Sequence, residues 1–136
     1  MASKLDTITQ KVVSNVDGAL GCAVVDLETG LVMGAHHSVP YFTQTYIEAV
    51  ASAAVNMFRG RGITNIEDLL TKQRGEKVEN SIQEVQMTTK GTFHFMTVVP
   101  DKPNALVVLI TDRKANLGAG WSAVRGALKE IAPECP

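Results

Sequence analysis

Two strand-length stretches of this chain are apolar at almost every position. One is Ala19-Leu20-Gly21-Cys22-Ala23-Val24-Val25-Asp26-Leu27, the other Ala105-Leu106-Val107-Val108-Leu109-Ile110. Successive side chains of a strand point to opposite faces, so a run without polar alternation is buried on both. A sheet holding two such strands needs cover above and below it. Helices on both faces provide that cover, and the remaining sequence contains helices to do so.

The first helix reads from Leu5, Ile8, Val12 and Val16, at spacings of 3, 4 and 4, with Val13 beside them. Ser3 followed by Asp6 forms a capping box, and Asp17-Gly18 ends the helix. Pro40 precedes a second helix at about 43–59. Its stripe is Ile47, Val50, Ala51, Ala54, Met57 and Phe58. Ala49, Ser52, Ala53 and Asn56 form a neighbouring small-residue face, which allows either tight packing on the sheet or pairing with a second copy. Gly60 and Gly62 stop this helix. Thr64-Asn65-Ile66-Glu67 then reads as a cap opening a short helix through Leu69 and Leu70, with a charged connection over 72–80. The last helix opens at Asn116 and carries Leu117, Trp121, Val124, Leu128 and Ile131, before Pro133 closes it.

Between the helices lie a hairpin and a meander. Glu28-Thr29-Gly30 turns the first apolar run into a strand at 31–36. Later, 81–89, 92–99 and 105–110 read as three strands, joined by Lys90-Gly91 and by a loop at 100–104. The expected sheet is antiparallel. The strand opening at Ser81 is the least apolar, so it belongs at an edge. It has no Pro and only Glu84 as an internal charge. Such an edge is expected to be occupied, most simply by its own copy across a two-fold axis.

The chain's 136 residues match one domain, and 45% hydrophobic content excludes a disordered chain. Its 13 basic and 14 acidic residues leave a net charge of −1, without the basic excess of a nucleic-acid or anionic-membrane binder. The Arg59-Gly60-Arg61-Gly62 stretch reads as solvated loop. No apolar run approaches the roughly 20 residues that span a bilayer. Polar residues from Ser3 to Thr9 interrupt any signal-peptide core, so a cytoplasmic protein is expected. Cys22 reads as a buried hydrophobe and Cys135 as part of a frayed end, with no disulfide or zinc spacing.

Chemical motifs are few. Gly118-Ala119-Gly120-Trp121-Ser122-Ala123 matches the dinucleotide fingerprint in letters but lies inside the last helix, where close packing explains the glycines. His36 and His37 are adjacent and point apart, and His94 stands alone. Phosphate-loop, nucleophile-elbow and zinc-protease motifs are missing. Asp26 and Asp112 end the two apolar strands and read as turn caps. No metal, cofactor or catalytic set is expected.

Gly21-Cys22-Ala23-Val24-Val25-Asp26 with its Gly turn resembles the first hairpin of the roadblock/dynein light chain family. Phe93-His94-Phe95-Met96-Thr97-Val98-Val99-Pro100 is similar to its intervening strand. Leu106-Val107-Val108-Leu109-Ile110-Thr111-Asp112-Arg113-Lys114-Ala115-Asn116-Leu117-Gly118 is similar to its last strand and helix start. The likeness covers nearly the whole chain in element order. It implies one roadblock-like domain over 1–136, of α/β (α+β), roadblock/profilin-like fold. Its five-stranded antiparallel sheet would have order 2-1-5-4-3, with the first and last helices on one face and the second on the other. It further implies a non-catalytic homodimer, formed through the second helix and third strand, that adapts or regulates a Ras-like small GTPase. The interface candidates are Ala49, Ala53 and Asn56 on the helix and Gln83, Val85 and Met87 on the strand. The alternative is a small-ligand sensor or scaffold subunit, with Phe93, Phe95, Met96 and Trp121 as a pocket.

Overall fold

The structure, a computed structural model, describes residues 3–136. The chain runs α1 (Lys4–Ser14), β1 (Ala19–Asp26), β2 (Val32–His37), α2 (Gln44–Arg59), α3 (Arg61–Arg74), β3 (Glu84–Thr88), β4 (Thr92–Val99), β5 (Lys102–Asp112) and α4 (Leu117–Ile131), ending in a 3-10 turn, Ala132–Glu134. The strands form one sheet in the order β2-β1-β5-β4-β3, antiparallel throughout. This is the architecture the family resemblance implied.

The two apolar runs, β1 and β5, are neighbours at the centre, and β5 divides its side chains between two cores. Val107 and Leu109 face α1 and α4, joining Leu5, Ile8, Val12, Phe95, Val124 and Ile131. Leu106, Val108 and Ile110 face α2, joining Val25, Met96, Ala51, Ala54 and Phe58. Each fully buried Val, Leu, Ile or Phe contributes about 1.5–3 kcal/mol by removal from water. Two shared central strands therefore tie both helical layers into one unit.

The helix starts follow the sequence closely. Ser3 Oγ accepts from the Asp6 N–H at 3.1 Å, and Asp6 Oδ2 accepts from the Ser3 N–H at 3.1 Å, which is the expected capping box. Thr43 Oγ1 caps α2 through the Tyr46 N–H, and Asn116 Oδ1 caps α4 through the Ala119 N–H.

Several boundaries differ from the sequence reading. α1 stops at Ser14, before Asp17-Gly18. α3 is a full helix starting directly after Gly60. The Thr64 hydroxyl bonds back to the Arg61 carbonyl, so it does not cap a later start. Only Gly60 separates α2 from α3, and Gly62 lies within α3. The expected loop at 100–104 is a tight turn. Asp101 takes a left-handed φ of 62°, which lets Lys102 pair with Val99 and extends β5 by three residues. Cys135 is buried, its thiol against the Ile131 carbonyl, so the C-terminal end is packed.

Candidate interaction surface

Open interaction capacity is found at the β3 edge and on the exposed faces of α2 and α3. In an antiparallel pair, opposed residues alternate between facing each other with their N–H and C=O groups and turning those groups away. The Val98 N–H donates to the Gln83 carbonyl at 2.9 Å, and the Thr89 N–H donates to the Thr92 carbonyl at 2.9 Å. These bonds fix the phase. Val85 and Met87 spend their backbone groups on β4, opposite Met96 and His94. Glu84, Gln86 and Thr88 turn theirs outward, and no group among the described residues pairs with them.

At the far edge, β2, an outward donor is taken up within the chain. The Ser38 N–H bonds the Leu20 carbonyl, which makes Ala35 an outward-turned position. Its N–H donates to Asp6 Oδ1 at 3.0 Å. Gly34 lets α1 approach so closely that an added Cβ would lie 2.5 Å from Leu5 Cβ. The Ala35 and Ser3 amides hold the Asp6 carboxyl below its ordinary range, helped by the Ser3 hydroxyl and the nearby His36 charge, against the upward pull of burial.

The sequence-derived interface residues divide in an informative way. Ala49, Ala53 and Asn56, with Ser52, are exposed on α2. The small-residue face therefore does not pack on the sheet. Val85 and Met87 are half-buried against the α2-side core, so what they bring to the edge is strand geometry and not free side chains. Gln83 lies just before β3. Its carbonyl continues the ladder to β4 and its amide donates to the Asn80 carbonyl. Sequence reading missed Gln86 and Thr88 because the outward parity is set by register, which one sequence does not display.

Side-chain clamps hold β3 in place. Arg125 of α4 grips Glu84 through Nε (3.0 Å) and Nη2 (2.6 Å) while stacking on Trp121. This partner, with help from the Thr97 hydroxyl, keeps the Glu84 carboxyl below its ordinary value despite some burial. Arg113 stacks on Phe93 and donates to the Thr89 carbonyl.

α3 is anchored unusually. Its only fully buried residue is an acid, Glu67. Glu67 Oε2 accepts from the Ser81 N–H at 2.7 Å and from the Ser81 hydroxyl at 2.5 Å. Burial pushes this carboxyl upward, but the two Ser81 bonds and the Arg59 charge outweigh it and hold it ionised below the usual range. Thr71 adds a second tie, accepting from the Val78 N–H at 2.8 Å. Arg59 meanwhile donates to Asn104 and to the Pro103 carbonyl at the start of β5.

The other candidates separate. Asp26 and Asp112 sit at opposite ends of the sheet, each accepting backbone N–H groups in its own turn. Gly120 packs under the Phe95 ring, so the fingerprint-like glycine serves helix–sheet contact. Phe95 and Met96 point into different cores, and Phe95 meets Trp121 edge-on at 5.4 Å. The four residues considered for a ligand pocket therefore cannot line one cavity. A separate apolar slot between α2 and β1–β2, walled by Phe42, Tyr46, Ile47 and Val50, measures about 20 Å³, room for one water. His94 is buried, with its Nε2 3.0 Å from Thr92 Oγ1, and burial lowers its pKa. Among the described residues, no three His, Cys, Asp or Glu side chains converge as a metal-binding group, and no helix is long and apolar enough to cross a membrane.

The arrangement defines a class: a three-layer α/β domain whose one antiparallel sheet runs β2-β1-β5-β4-β3 between helices on both faces. This is the fold of roadblock/LC7 domains. A roadblock/LC7 domain from Streptomyces avermitilis superposes with a TM-score of 0.72 at 15% identity, covering 97% of this chain and 98% of that one. The gliding protein MglB of Thermus thermophilus gives 0.69 at 18% identity, covering 96% and 87%. An MglB in a tetrameric arrangement gives 0.71 at 16%, covering 98% and 90%. No family model matches the sequence, and no curated protein matches it either.

Proposed function

We propose that this chain is a single roadblock-family domain, cytoplasmic and non-catalytic, acting as a homodimeric adaptor or regulator of a Ras-like small GTPase. The open β3 edge and the exposed small-residue face of α2 carry the dimeric reading. Three outward-turned residues, Glu84, Gln86 and Thr88, offer strand pairing, while Ala49, Ala53 and Asn56 permit close helix approach. A two-fold axis across β3 would join two sheets into one of ten strands. The tetrameric arrangement of an MglB with this fold supports self-association. The GTPase partner rests on the resemblance to roadblock/dynein light chain proteins, whose implied fold this chain has.

Regulation requires differential affinity for two nucleotide states, since equal affinity shifts no equilibrium. The test is capture from lysate of the native host by the immobilised protein, with GDP or a non-hydrolysable GTP analogue present. A small GTPase enriched at least tenfold in one state is expected. Equal capture would reduce the role to scaffolding, and failure to capture any GTPase would overturn the partner assignment. The dimer itself is tested by Gln86→Pro. Its N–H points outward, so proline removes a donor from the open edge while the ladder to β4 stays whole. Val85→Pro would be uninformative, because the Val85 N–H bonds within the chain.

A further inference from the structure

We propose that α3 is a clasp for a second copy of this chain, holding the two copies together through Ile66 and Leu69. The inference rests on the dimeric reading above and adds to it an element outside the second helix and third strand. α3 buries its surface the wrong way round for a helix of a lone domain. Glu67 is the residue turned fully inward, whereas Ile66 and Leu69 are 57% and 59% exposed. Gly62, Ile66 and Leu69 follow at spacings of 4 and 3, so they share one outward stripe. Around Gly62 there is open space. Ile63 and Leu70, one position on from Gly62 and Leu69, are turned partly inward.

The position of this stripe selects its occupant. Through Gly60, α3 continues directly from α2, whose small-residue face is bare. Through Glu67 and Thr71 it is bonded to Ser81 and Val78, immediately ahead of the open β3 edge. The three features are thus linked in sequence, α2 to α3 through Gly60 and α3 to the lead-in of β3 by short, partly buried hydrogen bonds. An antiparallel two-fold pairing about Gln86 sets the start of each β3 beside the end of the other. Each α3, docked at the start of its own strand, then stands against the other copy.

The size of a stable interface supports the same choice. A standard interface takes roughly 800 Å² from each partner, about a tenth of a small protein's surface, and this chain exposes 7826 Å². β3 is a five-residue strand, about 17 Å long. The exposed α2 face offers Ala49, Ser52, Ala53 and Asn56, none of them a large apolar anchor. Binding energy concentrates on a few large side chains that become fully desolvated. Ile66 and Leu69 supply those anchors in each copy.

The test is sedimentation velocity over a dilution series, comparing the native chain, the Ile66→Glu/Leu69→Glu double variant and Gln86→Pro. Circular dichroism verifies the fold, and Ile66→Ala/Leu69→Ala serves as the milder pair should the charged variant unfold. The α3 double variant is expected to weaken dimerisation at least tenfold while keeping the native spectrum. If Gln86→Pro breaks the dimer and the α3 pair leaves its dissociation constant unchanged, the clasp is wrong and β3 pairing stands. If the α3 pair breaks the dimer and Gln86→Pro does not, the clasp stands and the edge-strand interface falls. A native chain that is monomeric at every concentration overturns both.

Discussion

The two edges of the sheet solve the same problem in opposite ways. Both β2 and β3 carry outward-turned backbone groups that invite another strand. At β2 the chain answers internally: α1 lies against the strand at Gly34, and Asp6, already half of a helix cap, takes the Ala35 N–H. At β3 the side chains are well secured, Glu84 to Arg125 and the following turn to Arg113, yet the outward groups of Glu84, Gln86 and Thr88 are left open. An edge held rigid but left unpaired is a different object from a frayed one. Its ordering entropy is already spent within the monomer, so a pairing strand binds a formed template.

The contrast is broken most severely at Gly34. An alanine Cβ there would meet Leu5 Cβ at 2.5 Å and the Leu5 carbonyl carbon at 3.1 Å, and neither can yield without moving α1. Gly34→Ala is expected to cost about 3 kcal/mol, the upper part of the usual overpacking range. Urea denaturation measures it. A loss under about 0.5 kcal/mol, the size of an ordinary surface substitution, would mean that α1 is not pressed on β2 as described. The proposed pairing through β3 is expected to be unaffected as long as the variant remains folded, because α1 packs against the other edge of the sheet.

How legible these edges are in the sequence differs as well. The two apolar runs announce a doubly covered sheet, and the stripes of α1, α2 and α4, with caps at Ser3 and Asn116, place the covering helices. β3 is recognisable as an edge from its polarity. What the sequence does not display is anything that depends on register or long-range contact. Asp6 reads locally as a cap, and its second bond to Ala35 spans 29 positions. Whether Val85 or Gln86 faces outward rests on pairing with β4. α3 is longer than the sequence suggests because glycines at 60 and 62 read as stops, although the second is accommodated inside the helix. Ile66 and Glu67 read as part of a cap, whereas the structure places both inside α3, exposing Ile66 and burying Glu67, whose Ser81 partner lies 14 positions on.

A gentler cut at the closed edge is Asp6→Ala. It removes the capping-box partner of Ser3 and leaves the Ala35 N–H without its acceptor. A lost cap costs about 1 kcal/mol, and a hydrogen bond to a charged group about 1.5–3 kcal/mol. Part of each is recovered from water at a half-exposed site, so the expected loss is about 2 kcal/mol by urea denaturation. The variant also sharpens the comparison of edges. With Ala35 uncovered, β2 gains an open donor, and sedimentation at high concentration should show species larger than those of the native chain. A variant that loses stability without larger species would show that α1 shields β2 by bulk and that the Asp6 bond is only a helix cap.

The smallest effect expected is the separation of the two edges by acid. Asp6 is held below its ordinary pKa chiefly by the Ala35 amide, and Glu84 chiefly by the Arg125 hydrogen bonds. For a depressed carboxyl, the stabilisation is complete above the unfolded value near 4 and is lost as pH falls through the lower folded value. Both contributions therefore begin to decline near pH 4 and are lost only as pH falls through the lower folded values. They are not equal: the Glu84–Arg125 pair is solvent-exposed and screened, while Asp6 serves a backbone amide beneath a packed helix. His94 acts in a separate window. Burial lowers its pKa below the ordinary 6.5, so its contribution is full above pH 6.5 and declines as pH falls from there to the folded value. Stability against pH, measured by denaturant titration, should thus fall in two stages, and Asp6→Ala should flatten the lower stage more than Glu84→Gln does. If Glu84→Gln flattens it more, the acid-sensitive anchor lies at the open edge. β3, not β2, would then be the strand that depends on a carboxylate to stay in place.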